Sequence, residues 1–180
     1  MKQGKRNGKI LGSFSGMRKY LEKDMLADSL KGRIRYGCTA YVGMDHCRIF
    51  EVCIDGRQIK RFSWESLQSY FIENGYRGES HHSGPMGYWE GFWDLWRATP
   101  VEQRTAYTDE EFCQALAAYR SQPVGESLVS TDPIQRMFAV LDRRVGKRTL
   151  EKIRDTAADQ PEWLQLFYAP CRCVLSVIRF

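Results

Sequence analysis

No stretch of this 180-residue chain approaches the ~18 consecutive apolar residues of a membrane-spanning helix, so no contact with a membrane interior is expected. The basic N-terminus is not followed by the apolar core of a secretory signal, which points to a cytoplasmic protein. Cysteine is sparse for a disulfide scaffold: six are spread over the whole length. Without a signal peptide, reduced thiols acting as small apolar residues are the favoured reading of Cys38, Cys47, Cys53, Cys113, Cys171 and Cys173. Cys171 and Cys173 form a C-x-C pair, but no second knuckle exists, and His46 and the His81–His82 pair lie far away in sequence. That spacing does not make a metal site.

Catalytic signatures are missing too. There is no G-x-S-x-G elbow and no H-E-x-x-H helix. Gly146–Lys147 superficially resembles the end of a phosphate loop. The first glycine of that motif is absent, however, and Arg148 stands where Ser or Thr is required. No cofactor is implied, and no internal repeat is visible.

What is present is an ordinary globular composition, 43% hydrophobic and 27% charged, at a length that suits one domain. The net charge of +5 is unevenly placed. Residues 1–35 hold ten Lys/Arg against three acids, an excess of seven, which leaves the remainder at minus two. Residues 1–13, with Lys2, Lys5, Arg6 and Lys9 among glycines, read as a basic flexible arm. Residues 14–180 read as a single α+β domain: sheet-rich over 14–75, a loop and Trp-rich segment over 76–105, and helical over 106–180.

The pattern predicts an N-terminal helix over 14–27, from Phe14, Met17, Leu21 and Met25. Alternation then predicts a strand from Ile34 to Val42, a second from Cys47 to Ile54 and a third from Arg57 to Phe62. Asp55–Gly56 supplies the hairpin turn of an antiparallel meander of three or four strands. Ser63 caps a helix over 64–73. Four glycines, a proline and His81–His82 mark a surface loop between 75 and 88. Thr108 to Glu111 forms a capping box, and Asp132–Pro133 starts another helix. Gly146 reads as the left-handed residue after that helix, with Arg143 and Arg144 in its last turn, and Thr149 as the next cap. Cys171 to Phe180 reads as a closing strand.

Two segments, Ser29-Leu-Lys-Gly-Arg33 and Leu141-Asp-Arg-Arg-Val-Gly-Lys-Arg148, resemble a family of small uncharacterised bacterial cytoplasmic proteins. The resemblance covers most of residues 20–170 and implies no activity and no catalytic residue. The Cys-Arg-Cys ending and the His/Gly/Trp stretch at 75–96 depart from it.

The functional expectation is a non-catalytic interaction protein. It would bind a protein partner through Trp89, Trp93 and Trp96, and through a basic junction of Lys31, Arg33, Arg143, Arg144, Lys147 and Arg148. The alternative is a nucleic-acid or nucleotide binder, gripping phosphates with the arm and the Arg143–Arg148 cluster. In that junction Asp142 is a candidate to tie up one arginine. A third expectation is a hydrolase using His81 or His82 beside Ser80 and Ser83, or Cys38 or Cys113 as a thiolate.

Overall fold

Ser13 opens the first helix by accepting the Gly16 amide on its hydroxyl at 3.2 Å. The helix, α1 (Phe14–Lys19), passes directly into a π-helical turn over Tyr20–Met25, so the expected helix to residue 27 changes pitch and stops two residues early. Met17, Leu21 and Met25 still line up in the core, all at most 4% exposed. The computed structural model describes residues 13–40, 48–74, 87–100 and 104–168, without the side chains of residues 40, 87–90 and 92. The basic arm, the histidine loop and the expected closing strand lie outside the described residues.

Ser29 to Arg33 makes a sharp corner. Lys31 sits at φ −60°, ψ 131° and Gly32 at φ +82°, while the Arg33 amide donates to the Leu30 carbonyl at 3.1 Å. This is a type II turn, whose third position requires a positive φ and hence favours glycine. It buries Leu30 on one side and launches β1 (Ile34–Ala40) on the other. β2 (Arg48–Ile54) and β3 (Arg57–Phe62) complete an antiparallel sheet in the order β1-β2-β3. Asp55 at φ 49° and Gly56 at φ 82° form the expected tight turn. Ile34 and Tyr36 face inward opposite Ile54 and Val52.

Ser63 caps α2 (Trp64–Glu73), and the Trp-rich segment is a helix, α3 (Gly87–Ala98). Thr108 and Glu111 make both halves of the capping box on α4 (Asp109–Ser121). After the short α5 (Val124–Leu128), Asp132 and Pro133 start α6 (Pro133–Leu141). Then come α7 (Lys147–Ile153), a 3-10 stretch over Arg154–Asp159 and a last helix over 162–168.

The sheet shares its main core with α1, α4, α6 and the last helix, and aromatic rings join them. Phe112 of α4 stacks on Phe50 with centroids 4.7 Å apart, and it meets Phe62 at 4.9 Å and Phe138 of α6 at 5.4 Å. Trp163 meets Phe62 edge-on at 6.2 Å. Burial of these rings takes a large apolar area out of water and so contributes strongly to stability. A second, smaller core of Leu67, Phe71, Trp96 and Ala106 lies beneath α2 and α3.

Candidate functional site

The residues just ahead of the Ser29–Arg33 segment are fastened to the start of the Leu141–Arg148 segment. The Ala27 amide donates to the Leu141 carbonyl at 3.1 Å, and the Arg143 amide to the Met25 carbonyl at 2.9 Å. These bonds pull the chain out of α6 at Leu141. Gly146 is therefore not a left-handed helix end: it has φ −72° and ψ 159° and precedes α7. Arg143 and Arg144 lie in the connection and not in a last helical turn, and Thr149 lies inside α7 rather than capping it.

Asp142 holds the corner closed. It is 2% exposed. Its carboxylate accepts the Arg144 amide at 2.7 Å, Arg144 Nε at 3.0–3.1 Å, Arg144 Nη2 at 2.7 Å and the Tyr119 hydroxyl. Burial alone would raise its pKa, but the hydrogen bonds from Arg144 and Tyr119 win and hold it below the ordinary carboxylate range. For Tyr119, burial and the bond to Asp142 push its pKa far upward.

Of the six basic residues of the expected junction, three have carboxylate partners. Arg144 is held by Asp142, although its side chain remains half exposed. Arg33 grips Asp55 with two parallel bonds of 2.8 and 2.9 Å. Lys31 bonds Asp28 at 2.6 Å, and that bond keeps Asp28 below its usual pKa, with Arg143 adding to the effect. Arg143, Lys147 and Arg148 are exposed and have no ion pair among the described residues.

The tryptophans divide differently. Trp96 is 5% exposed, so it is a core residue and not outer surface. Arg104 stacks on its ring at 4.1 Å, donates to the Trp96 carbonyl at 3.0 Å and pairs with Glu111 at 3.0 Å. One arginine thereby locks the end of α3 onto the start of α4. Trp93 is 37% exposed and meets Trp64 of α2 at 5.1 Å. Leu95 and Ile72, on the same pair of helices, are 42% and 52% exposed. Trp89 stands two positions into α3, and its side chain lies outside the described residues.

A cleft of about 300 Å³ opens between α4 and α6, lined by Arg104, Glu111, Asp132 and Gln135 among others. Its polar groups already serve helix ends: Asp132 accepts the Ile134 amide at 2.8 Å and Gln135 Nε2 at 3.0 Å. Among the described residues, no cysteine, serine, lysine or histidine lines it. Burial pushes the Cys113 thiol up to about 11 and raises Cys38 as well, the reverse of nucleophile activation. His81, His82, Ser80 and Ser83 lie outside the described residues. Among those described, no group of three or more His, Cys, Asp or Glu is placed to hold a metal, and no helix is long and apolar enough to cross a membrane.

A family model matches residues 13–173, nearly the whole chain. The chain belongs to the SF0329 protein family. No curated protein and no solved structure matches it. The matched span includes the fastened corner, the α2–α3 pair and every described element. Sequence reasoning had named Asp142 and Arg144 but missed Tyr119 and Arg104.

Proposed function

We propose that this SF0329 family member is a bacterial, cytoplasmic, non-catalytic interaction protein whose partner-binding surface is the outer side of α2 and α3. The observation carrying this reading is the exposure of Ile72, Trp93 and Leu95 on two helices that share their own small core. Exposed large apolar side chains concentrated on one substructure are the usual mark of a protein contact, where aromatic residues supply most of the binding energy. Arg104 supports it further, because it anchors α3 rigidly and so lowers the entropy lost on binding.

The test is recovery of the tagged chain from its native cells, beside an Ile72→Asp, Leu95→Asp double variant. A stoichiometric polypeptide should accompany the wild type, persist at high salt and disappear with the variant. Recovery of nucleic acid with both proteins, lost as salt rises, overturns the reading.

The second reading is phosphate contact through Arg143, Lys147 and Arg148. Their exposure without carboxylate partners among the described residues favours it, and a steep salt dependence would distinguish it.

A further inference from the structure

Lys60 of β3 lies on the wrong face of the sheet for a cation. It pairs across the ladder with Val52 and precedes Phe62 by two positions, and both of those side chains are fully buried. Alternate residues of a strand share a face, so Lys60 runs along the face that carries the core. Its Nζ sits 5.3 Å from the centroid of the Tyr107 ring and 5.3 Å from that of Trp163 in the last helix, and it donates to the Thr105 carbonyl. Lys60 is half-buried and Thr105 is exposed, which places the nitrogen at the rim of the core.

No carboxylate pairs with Lys60 among the described residues. Trp163 carries no charge, and the Tyr107 phenol, pushed far above its usual pKa by burial, stays neutral. An ammonium ion here has two ring faces and one carbonyl in place of a counterion. The rings recover part of the lost hydration, but burial prevails and lowers the Lys60 pKa to about 8. About a quarter of the amine is then neutral at pH 7.5, against about one part in a thousand for an exposed lysine.

A free amine is a nucleophile, and its surroundings select what it attacks. An imine would need an acid to expel water from the carbinolamine, and no acid faces Nζ among the described residues. A carbamate from carbon dioxide would set an anion against two ring faces. An acyl phosphate or a thioester carries its own leaving group. The Nζ lone pair attacks the acyl carbon and forms the C–N bond. The C–O bond to phosphate, or the C–S bond, breaks with its electron pair, and the amine proton passes to water. The amide formed is neutral and keeps one N–H for the Thr105 carbonyl, so the charge that burial penalises is lost and the hydrogen bond is retained.

We propose that Lys60 is an acylation site, taking a short acyl group from an activated donor, an acyl phosphate or a thioester. The site uses nothing of the outer side of α2 and α3.

The test treats the full chain separately with acetyl phosphate and with S-acetyl-N-acetylcysteamine from about pH 6.5 to 10, and follows each lysine by peptide mass spectrometry. Lys147 and Lys152, both exposed, are the internal references. At pH 7.5 Lys60 should be acetylated at least about tenfold faster than either, a margin that allows for its partial burial and lower basicity. Its rate should level off above about pH 9 while theirs still climb. Reaction with one donor alone identifies the source of the acyl group. Thr105→Glu sets a carboxylate beside Nζ and should slow Lys60 severalfold at pH 7.5, whereas Thr105→Gln should not. Lys60 reacting no faster than the references with either donor, a Lys60 rate that climbs with theirs to pH 10, or indifference to Thr105→Glu overturns the proposal. Should Thr105→Glu fail to fold, the pH profile of the wild type decides alone.

Discussion

Asp142 gathers a guanidinium, a backbone amide and a phenol around one buried carboxylate. A buried carboxylate is costly unless fully paired, and this one is satisfied by a guanidinium, an amide and a phenol. Asp142→Ala should cost about 3 kcal/mol in urea unfolding, because the buried Tyr119 hydroxyl then loses its acceptor. The folded carboxyl titrates below its unfolded value of about 3.9, so the unfolded chain takes up the proton first as pH falls. Its contribution is complete above that value and drains away as pH drops through it towards the folded pKa. The urea midpoint of the wild type should therefore fall between pH 5 and 3, and Asp142→Asn should flatten that fall; equal slopes would contradict the assignment. The pairing of Asp142 with a neighbouring arginine was legible because they are two positions apart. Tyr119 was not, since 23 residues separate it from Asp142 and only tertiary packing brings them together.

At the scale of elements, local chemistry was readable and long-range backbone pairing was not. Ser63, the Thr108 capping box, Asp132–Pro133 and Asp55–Gly56 all act within a few residues, and each formed as expected. Gly146 misled because a glycine after arginines fits a left-handed helix end just as well as a linker. What decides is the pair of bonds from residues 25–27 to 141–143, which end α6 at Leu141. The two glycines therefore separate in a mutational test. Gly32→Ala should cost about 1 kcal/mol, since φ +82° disfavours any β-carbon. Gly146→Ala, at φ −72° with open space around it, should change stability by less than about 0.5 kcal/mol. Thermal or urea unfolding of both variants checks the pair, and equal losses would contradict the backbone assignment.

Across the whole molecule, the main core joins sheet, α1, α4, α6 and the last helix, while α2 and α3 keep a small core of their own. The alternation over 34–62 and the helical spacing elsewhere already announced an α+β fold, and the tryptophan cluster announced an unusual segment. Burial could not be apportioned from sequence: three tryptophans within eight residues gave no sign that Trp96 would lie inside under Arg104 while Trp93 stayed near the surface. That division is what turns the segment into a candidate contact face. The most direct test is hydrogen–deuterium exchange of the chain, free and within the complex recovered from its native cells. The account predicts slowed exchange across α2 and α3 on complex formation, with residues 143–148 unchanged. Protection confined to 143–148, with α2 and α3 exchanging as in the free chain, would contradict it.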